Sequence, residues 1–206
     1  MQYQWRDISI PLSPQMTVWP GDPKFSVEPA GRIADGADSN VSRITMSSHT
    51  GTHCDAPWHF VEEGAKMDEV DTSVFIGKAL VVDLPDVDII RAKDLPEEKL
   101  PKRVLFKTRN SFLPMDGTFD RSYVALHLDA AERLVADGVK VVGIDYLSIA
   151  PYRDAIPVHR TLLEAEVLIV EGLRLADITA GVYDFIVLPM PLVGADGAPC
   201  RAFIMT

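Results

Sequence analysis

Apolar positions in this chain fall mostly in short blocks or at every second residue, and few stretches carry the three-to-four spacing of a helix. Residues 5–10, 24–28 and 41–48 read as strands, the last with Ile44 and Met46 on one side. Apolar runs at 78–84, 103–107, 139–144, 167–170, 183–188 and 201–205 predict further strands, and 123–126 a weaker one. Residues 86–98 predict a connecting turn with a short helix. Asp129-Ala-Ala-Glu132 has the form of a capping box for a helix over 130–137, with Gly138 to close it. Pro157 predicts the start of another helix, because proline is tolerated in a first turn, and puts His159 in that turn. Strand, helix and strand in succession up to 144 indicate an α/β element. Fifteen prolines and thirteen glycines punctuate the whole length. No repeat, low-complexity tract or linker divides it, so residues 1–206 read as a single domain.

One stretch departs from this pattern. His49-Thr-Gly-Thr-His53-Cys-Asp55-Ala-Pro-Trp-His59 holds three of the chain's five histidines and an aspartate. Imidazole and carboxylate are the ligands that borderline divalent metals prefer, zinc above all. Gly51, two threonines and Pro57 argue against a helix interior. An extended chain puts His49, Gly51, His53 and Asp55 on one face, but four residues of straight strand span roughly 13 Å. Two imidazoles so far apart cannot share an ion bound at about 2 Å, so the chain must bend, and Gly51 permits it. The stretch therefore reads as a strand running out into a curled loop with a metal in the curl. Two other readings stand beside it: a buried cluster of hydrogen-bonded histidines, and Cys54 as a nucleophile with a histidine base. Cys54 has the wrong parity to face the odd-numbered residues.

Charge and composition narrow the partners. A formal net charge of -10 argues against nucleic acid and against an anionic membrane surface. No apolar run reaches the length of a membrane span, and the opening residues lack the apolar core of a leader. Two cysteines make no disulfide framework. The chain reads as a soluble, cytoplasmic protein acting on a small molecule. Trp19-Pro-Gly-Asp22-Pro is a rigid turn whose tryptophan either packs on the core or walls a site for a flat ligand. His127 has no motif around it and reads as structural. Glu171 follows four apolar residues, so it is a buried anion needing a cation or a strand-end residue turned to solvent. Residues 108–119 show little periodicity and read as a loop, and the acidic run over 62–71 as a solvated face.

The His49–His59 stretch resembles the H-x-G-T-H-x-D-x-P-x-H signature of the cyclase-like metal-dependent hydrolases, which include bacterial kynurenine formamidases, isatin hydrolases and polyketide cyclases. The resemblance extends to Trp19-Pro-Gly-Asp22, Val142-Gly-Ile-Asp145, His159 and Glu171. It implies a swivelling β/β/α domain in the α/β class, with mixed, strand-rich sheets, few helices and a homo-oligomeric state such as a dimer or tetramer. It implies two zinc ions, with manganese as the alternative. His49, His53 and Asp55 would serve one ion and His159 the other, with Asp55 and Glu171 bridging. His59 would be the proton donor and acceptor, and Trp19 would contact an aromatic substrate. The implied activity is hydrolysis of an amide-type C–N bond by metal-bound hydroxide, N-formylkynurenine being the first candidate substrate. A cyclic amide or lactone such as isatin, or a polyketide-type cyclisation, is the alternative.

Overall fold

The computed structural model describes residues 3–206, so Met1 and Gln2 of the opening segment lie outside it. The strands are β1 (Trp5–Asp7), β2 (Ser26–Gly31), β3 (Val41–Thr45), β4 (His53–Asp55), β5 (Ile76–Leu84), β6 (Arg103–Thr108), β7 (Val141–Ile144), β8 (Leu168–Glu171), β9 (Gly181–Pro189) and β10 (Gly197–Met205). The described residues form two α-helices, α1 (Leu128–Asp137) and α2 (Ala155–Glu164). Eight strands make one sheet in the order β1-β10-β4-β8-β7-β6-β5-β9, and β9 also pairs with β10. The sheet thereby closes on itself in a barrel-like ring. The fold is mixed α/β with few helices.

The parallel strands β5 to β8 sit side by side. Parallel neighbours need a crossover, and α1 and α2 provide it between β6 and β7 and between β7 and β8. The period of two then sorts side chains. Val104, Phe106, Val142, Ile144 and Ile169 point out to a core shared with Leu134 of α1 and Leu162 of α2. Leu105, Val141, Leu168 and Val170 point in, to Phe185, Val187, Ala202 and Ile204. These strands are apolar on both faces for that reason. Each large apolar side chain so buried contributes about 1.5–3 kcal/mol.

Several expectations change in detail. β2 and β3 form a separate two-stranded hairpin, and the strand expected over 41–48 stops at Thr45. Ile44 is exposed there, because no layer covers the hairpin. Residues 123–126 are buried but form no strand; a single bridge joins Leu126 to Ile90. The helix expected within 86–98 is one 3-10 turn, Ala92–Asp94. The cap of α1 is His127, whose Nδ1 accepts from the Asp129 backbone N–H at 3.3 Å, and not Asp129. His127 is thus structural, and the Asp129 carboxylate accepts from the Ala92 N–H at 3.2 Å. No helix among the described residues is long and apolar enough to cross a membrane.

Candidate metal centre

The curl and the strand occur in the reverse of the expected order. Residues 47–52 turn first, β4 follows, and a 3-10 turn over Pro57–His59 completes the stretch. Gly51 adopts φ 69°, and a Cβ there would clash with Leu12. The Thr50 hydroxyl accepts from the Ser47 N–H at 3.0 Å. The Thr52 hydroxyl accepts from the Ile10 N–H at 2.8 Å and donates to the Gly172 carbonyl at 2.6 Å. These bonds pin the turn and bring His49 back over Asp55, Nδ1 to Oδ1 3.0 Å. Within β4 the period of two holds: His53 and Asp55 share a face, and Cys54 lies on the other, fully buried in the apolar interior. Burial pushes the Cys54 thiol well up, so it is no thiolate nucleophile.

β4 runs antiparallel to β8 with His53 directly opposite Glu171. Glu171 is only 4% exposed, which overturns the solvent-facing alternative for a strand-end carboxylate. Its Oε1 accepts from the Ile149 N–H at 2.7 Å. His159 reaches the same point from α2. His53 Nδ1 donates to the Gly51 carbonyl at 2.9 Å, and His159 Nδ1 donates to the Ala155 carbonyl at 2.8 Å. A carbonyl only accepts, so each Nδ1 carries a proton and each Nε2 is left with its lone pair when neutral. His53 Nε2 faces Glu171 Oε2 at 3.3 Å and Asp55 Oδ1 at 3.5 Å. His159 Nε2 faces Glu171 Oε1 at 3.4 Å and Asp55 Oδ2 at 3.9 Å. Lone pair facing lone pair is repulsive unless a proton or a cation lies between. Asp55 Oδ2 is buried with no hydrogen-bond partner among the described residues. Two groups of side chains converge closely enough to hold an ion, His53–Asp55–Glu171 and His49–Asp55–His59, and both use Asp55. The nitrogen and oxygen donors suit a divalent metal.

His49 differs from the other two. Both its ring nitrogens meet carboxylates, Nε2 contacting Asp196 Oδ2 at 2.9 Å. Burial opposes its charge, but the bonds to Asp196 and Asp55 outweigh it and raise the imidazole to about 10. Burial likewise pushes Asp55 up, and the His49 bond and neighbouring histidines hold it well below the usual carboxylate range. Glu171 is pushed up by burial and by Asp55, and its bonds with His159 and His53 bring it net below. His159 is raised against burial by Glu171. The pattern is that of a site in which protons stand where a cation would.

Asp196, in the turn before β10, was not singled out from the sequence. It holds His49, contacts His59 Nδ1 at 3.4 Å and accepts from the Ser48 hydroxyl at 2.8 Å. The bonds from His49 and His59 keep its carboxyl well below the ordinary range. An aspartate in Gly194-Ala-Asp-Gly197 looks like a turn residue, and no spacing ties it to a stretch so distant in the chain. Gly197 beside it must lack a side chain, since a Cβ would lie 2.8 Å from His49 Cε1. His59 lies tilted against His49 with ring centroids 4.0 Å apart, and Phe60 stacks on His159 at 4.3 Å.

These groups open into a cavity of about 450 Å³ whose wall includes Trp19, Asp22, Ser48, Phe60 and Leu147. Trp19 lines the cavity and packs on Phe119 and Tyr152, with centroids at 5.1 and 5.4 Å. The 108–119 segment begins with a 3-10 turn, Arg109–Phe112. Asp145 anchors it, accepting from the N–H and hydroxyl groups of Thr108 and Ser111. Thr17 clasps its far end, accepting from the Gly117 N–H at 3.1 Å. The segment thus braces the turn that carries Trp19.

Comparison with known proteins agrees with this centre. The Cyclase family model matches residues 6–151. A kynurenine formamidase from Erythrobacter litoralis is 37% identical over 200 residues, covering 96% of this chain and 92% of its own. A solved structure of a predicted metal-dependent hydrolase from Bacillus stearothermophilus is 34% identical, with TM-score 0.86, covering 100% of this chain and 99% of its own. Isatin hydrolase A from Labrenzia aggregata shares the fold at TM-score 0.84 and 20% identity, over 99% and 94% of the two chains. The chain therefore belongs to the cyclase family of metal-dependent hydrolases and is an enzyme similar to the kynurenine formamidases over nearly its whole length.

Proposed function

We propose that the protein is an arylformamidase that cleaves the formamide C–N bond of N-formylkynurenine, releasing formate and an aromatic amine. One observation carries the metal dependence: two buried imidazoles, each fixed through Nδ1, aim Nε2 at Glu171 and Asp55, and Asp55 Oδ2 has no hydrogen-bond partner among the described residues. Two ions, zinc in the first instance and manganese as the alternative, suit these donors. His49, His53 and Asp55 would hold one and His159 the other, with Asp55 and Glu171 within reach of both. Asp55 Oδ1 lies beside His49 and His53 while its Oδ2 faces His159, which supports two ions over one. When bound, such ions supply Lewis-acid activation of water and of the scissile carbonyl.

The chain's own residues do the rest. The backbone carbonyls of Gly51 and Ala155 keep His53 and His159 in the tautomer that offers Nε2. His59, about a quarter exposed at the cavity wall, has Nδ1 beside Asp196 and keeps Nε2 for proton transfer. It takes a proton from the attacking water and gives one to the leaving nitrogen. Trp19 walls the aromatic ring and Phe60 shields His159 from water.

The closed ring of strands β4 to β10 supports one domain over 1–206, and we assign it to the swivelling β/β/α type. Val27, Val41 and Ile44 on the exposed β2–β3 hairpin support a homo-oligomer, whose mass light scattering reads. The free cysteines support a cytoplasmic setting.

The experiment is turnover of N-formylkynurenine, isatin and simple lactones by metal-stripped protein reloaded with zinc or manganese. Formate release from N-formylkynurenine is expected to dominate. Opening of isatin or a lactone without formate release from the formamide would overturn the reading in favour of a cyclic substrate.

A further inference from the structure

The turn that carries Trp19 also carries a carboxylate that the reaction does not use. The Asp22 N–H donates to the Trp19 carbonyl at 3.1 Å, and both side chains line the same cavity. The charged groups around that cavity are the histidines, Glu171, Asp196 and Asp22; no lysine or arginine is among them. Glu171 is held by His53 and His159, and Asp196 by His49, His59 and Ser48. Asp22, half-buried, makes no side-chain hydrogen bond or ion pair among the described residues. A carboxylate partly removed from water and left unpaired gains most from a cationic donor, and it repels a second anion.

We propose that Asp22 is a specificity-determining residue that binds an ammonium group on the substrate's side chain. The substrate class is then an aryl formamide bearing a cationic amine, with the amine recognised and any carboxylate left to solvent. This rests on the formamidase reading and extends it. N-formylkynurenine carries both groups, and Asp22 is the lining carboxylate without a side-chain partner among the described residues, free to take the amine. An amine-only analogue, lacking the carboxylate, keeps the recognition; a carboxylate-only analogue, lacking the amine, loses it.

The test compares kcat/KM of metal-loaded protein for N-formylkynurenine, its decarboxylated analogue and its deaminated analogue, in the parent and in Asp22→Asn. The decarboxylated analogue is expected to exceed the deaminated one by about tenfold, the ratio one charge-assisted hydrogen bond supports, carried mainly in KM. In Asp22→Asn that ratio falls toward one. Equal values in the parent, or an unchanged ratio in the variant, overturn the proposal. If none of the three releases formate, the formamidase reading fails, and calorimetric binding of the two deformylated aryl ketones decides on Asp22 alone. A tenfold preference for the amine that disappears in Asp22→Asn sustains it, and equal affinities overturn it.

Discussion

Replacing Glu171 by glutamine separates what the carboxylate does for the fold from what it does for the metal. The side chain keeps its size, and its carbonyl oxygen can still accept from the Ile149 N–H. Its amide then takes the place of Oε2 and can donate to the Nε2 of His53, so without metal the loss is about 1 kcal/mol, the net worth of one altered hydrogen bond. With metal the arithmetic differs. At free metal of about 100 times Kd, the parent gains about 2.7 kcal/mol for each ion bound. For a chain of 206 residues, at roughly 2–4 °C per kcal/mol, that is a rise of about 5–11 °C in melting temperature. Outer-shell partners of metal ligands alone are worth 10–100-fold in affinity, so losing a bridging carboxylate costs at least about 100-fold. At the same metal concentration the gain in Glu171→Gln then shrinks to about 0.4 kcal/mol, or 1–2 °C. Differential scanning calorimetry of parent and variant, each stripped and each with zinc, reads all four values. A variant that keeps the parent's full metal-dependent rise refutes the placing of Glu171 on the metal. A parent with no rise refutes the metal centre itself.

His59→Ala is expected to keep near-normal metal occupancy and lose kcat by about 10²–10⁴-fold, whereas His53→Ala and His159→Ala lose metal and activity together. Elemental analysis alongside kinetics distinguishes them, and metal loss from His59→Ala as ready as from His53→Ala removes its proton-transfer role. Trp19→Ala is expected to raise KM for aromatic formamides several-fold with metal content unchanged, stacking being worth on the order of 1 kcal/mol; unchanged kinetics would leave Trp19 only its packing on Phe119 and Tyr152. In metal-free protein His49 is raised to about 10, so the stability from its charge is complete below the ordinary 6.5 and is lost as pH rises through 10. Melting temperature of the stripped protein should therefore fall between pH 7 and 10, and a flat profile would contradict the pairing of His49 with Asp55 and Asp196.

What was legible in the sequence was whatever a local period encodes. Parity put His53 and Asp55 on one face and Cys54 on the other, and β4 keeps that arrangement. The apolar runs of β5 to β8 reflected burial on both faces. What was not legible depended on tertiary pairing. Glu171 looks like a strand end until β4 is laid against β8 and puts His53 opposite it. Asp196 looks like a turn aspartate until closure of the sheet through β10 sets its loop against β4. The period of two put Ile44 and Met46 on one side without saying whether anything covers that side, and Ile44 is exposed. The cap of α1 was misplaced by two residues, because histidine at 127 does what the sequence pattern assigns to aspartate at 129.

The most direct test of the account is a zinc titration of stripped protein with formate release from N-formylkynurenine as the signal. The ligand set around Asp55 predicts no release without metal, and activity that rises with zinc and saturates at two equivalents per chain. Full activity in stripped protein, or no formate at any zinc loading of folded protein, would contradict a metal-dependent formamidase centred on His53, Asp55, His159 and Glu171.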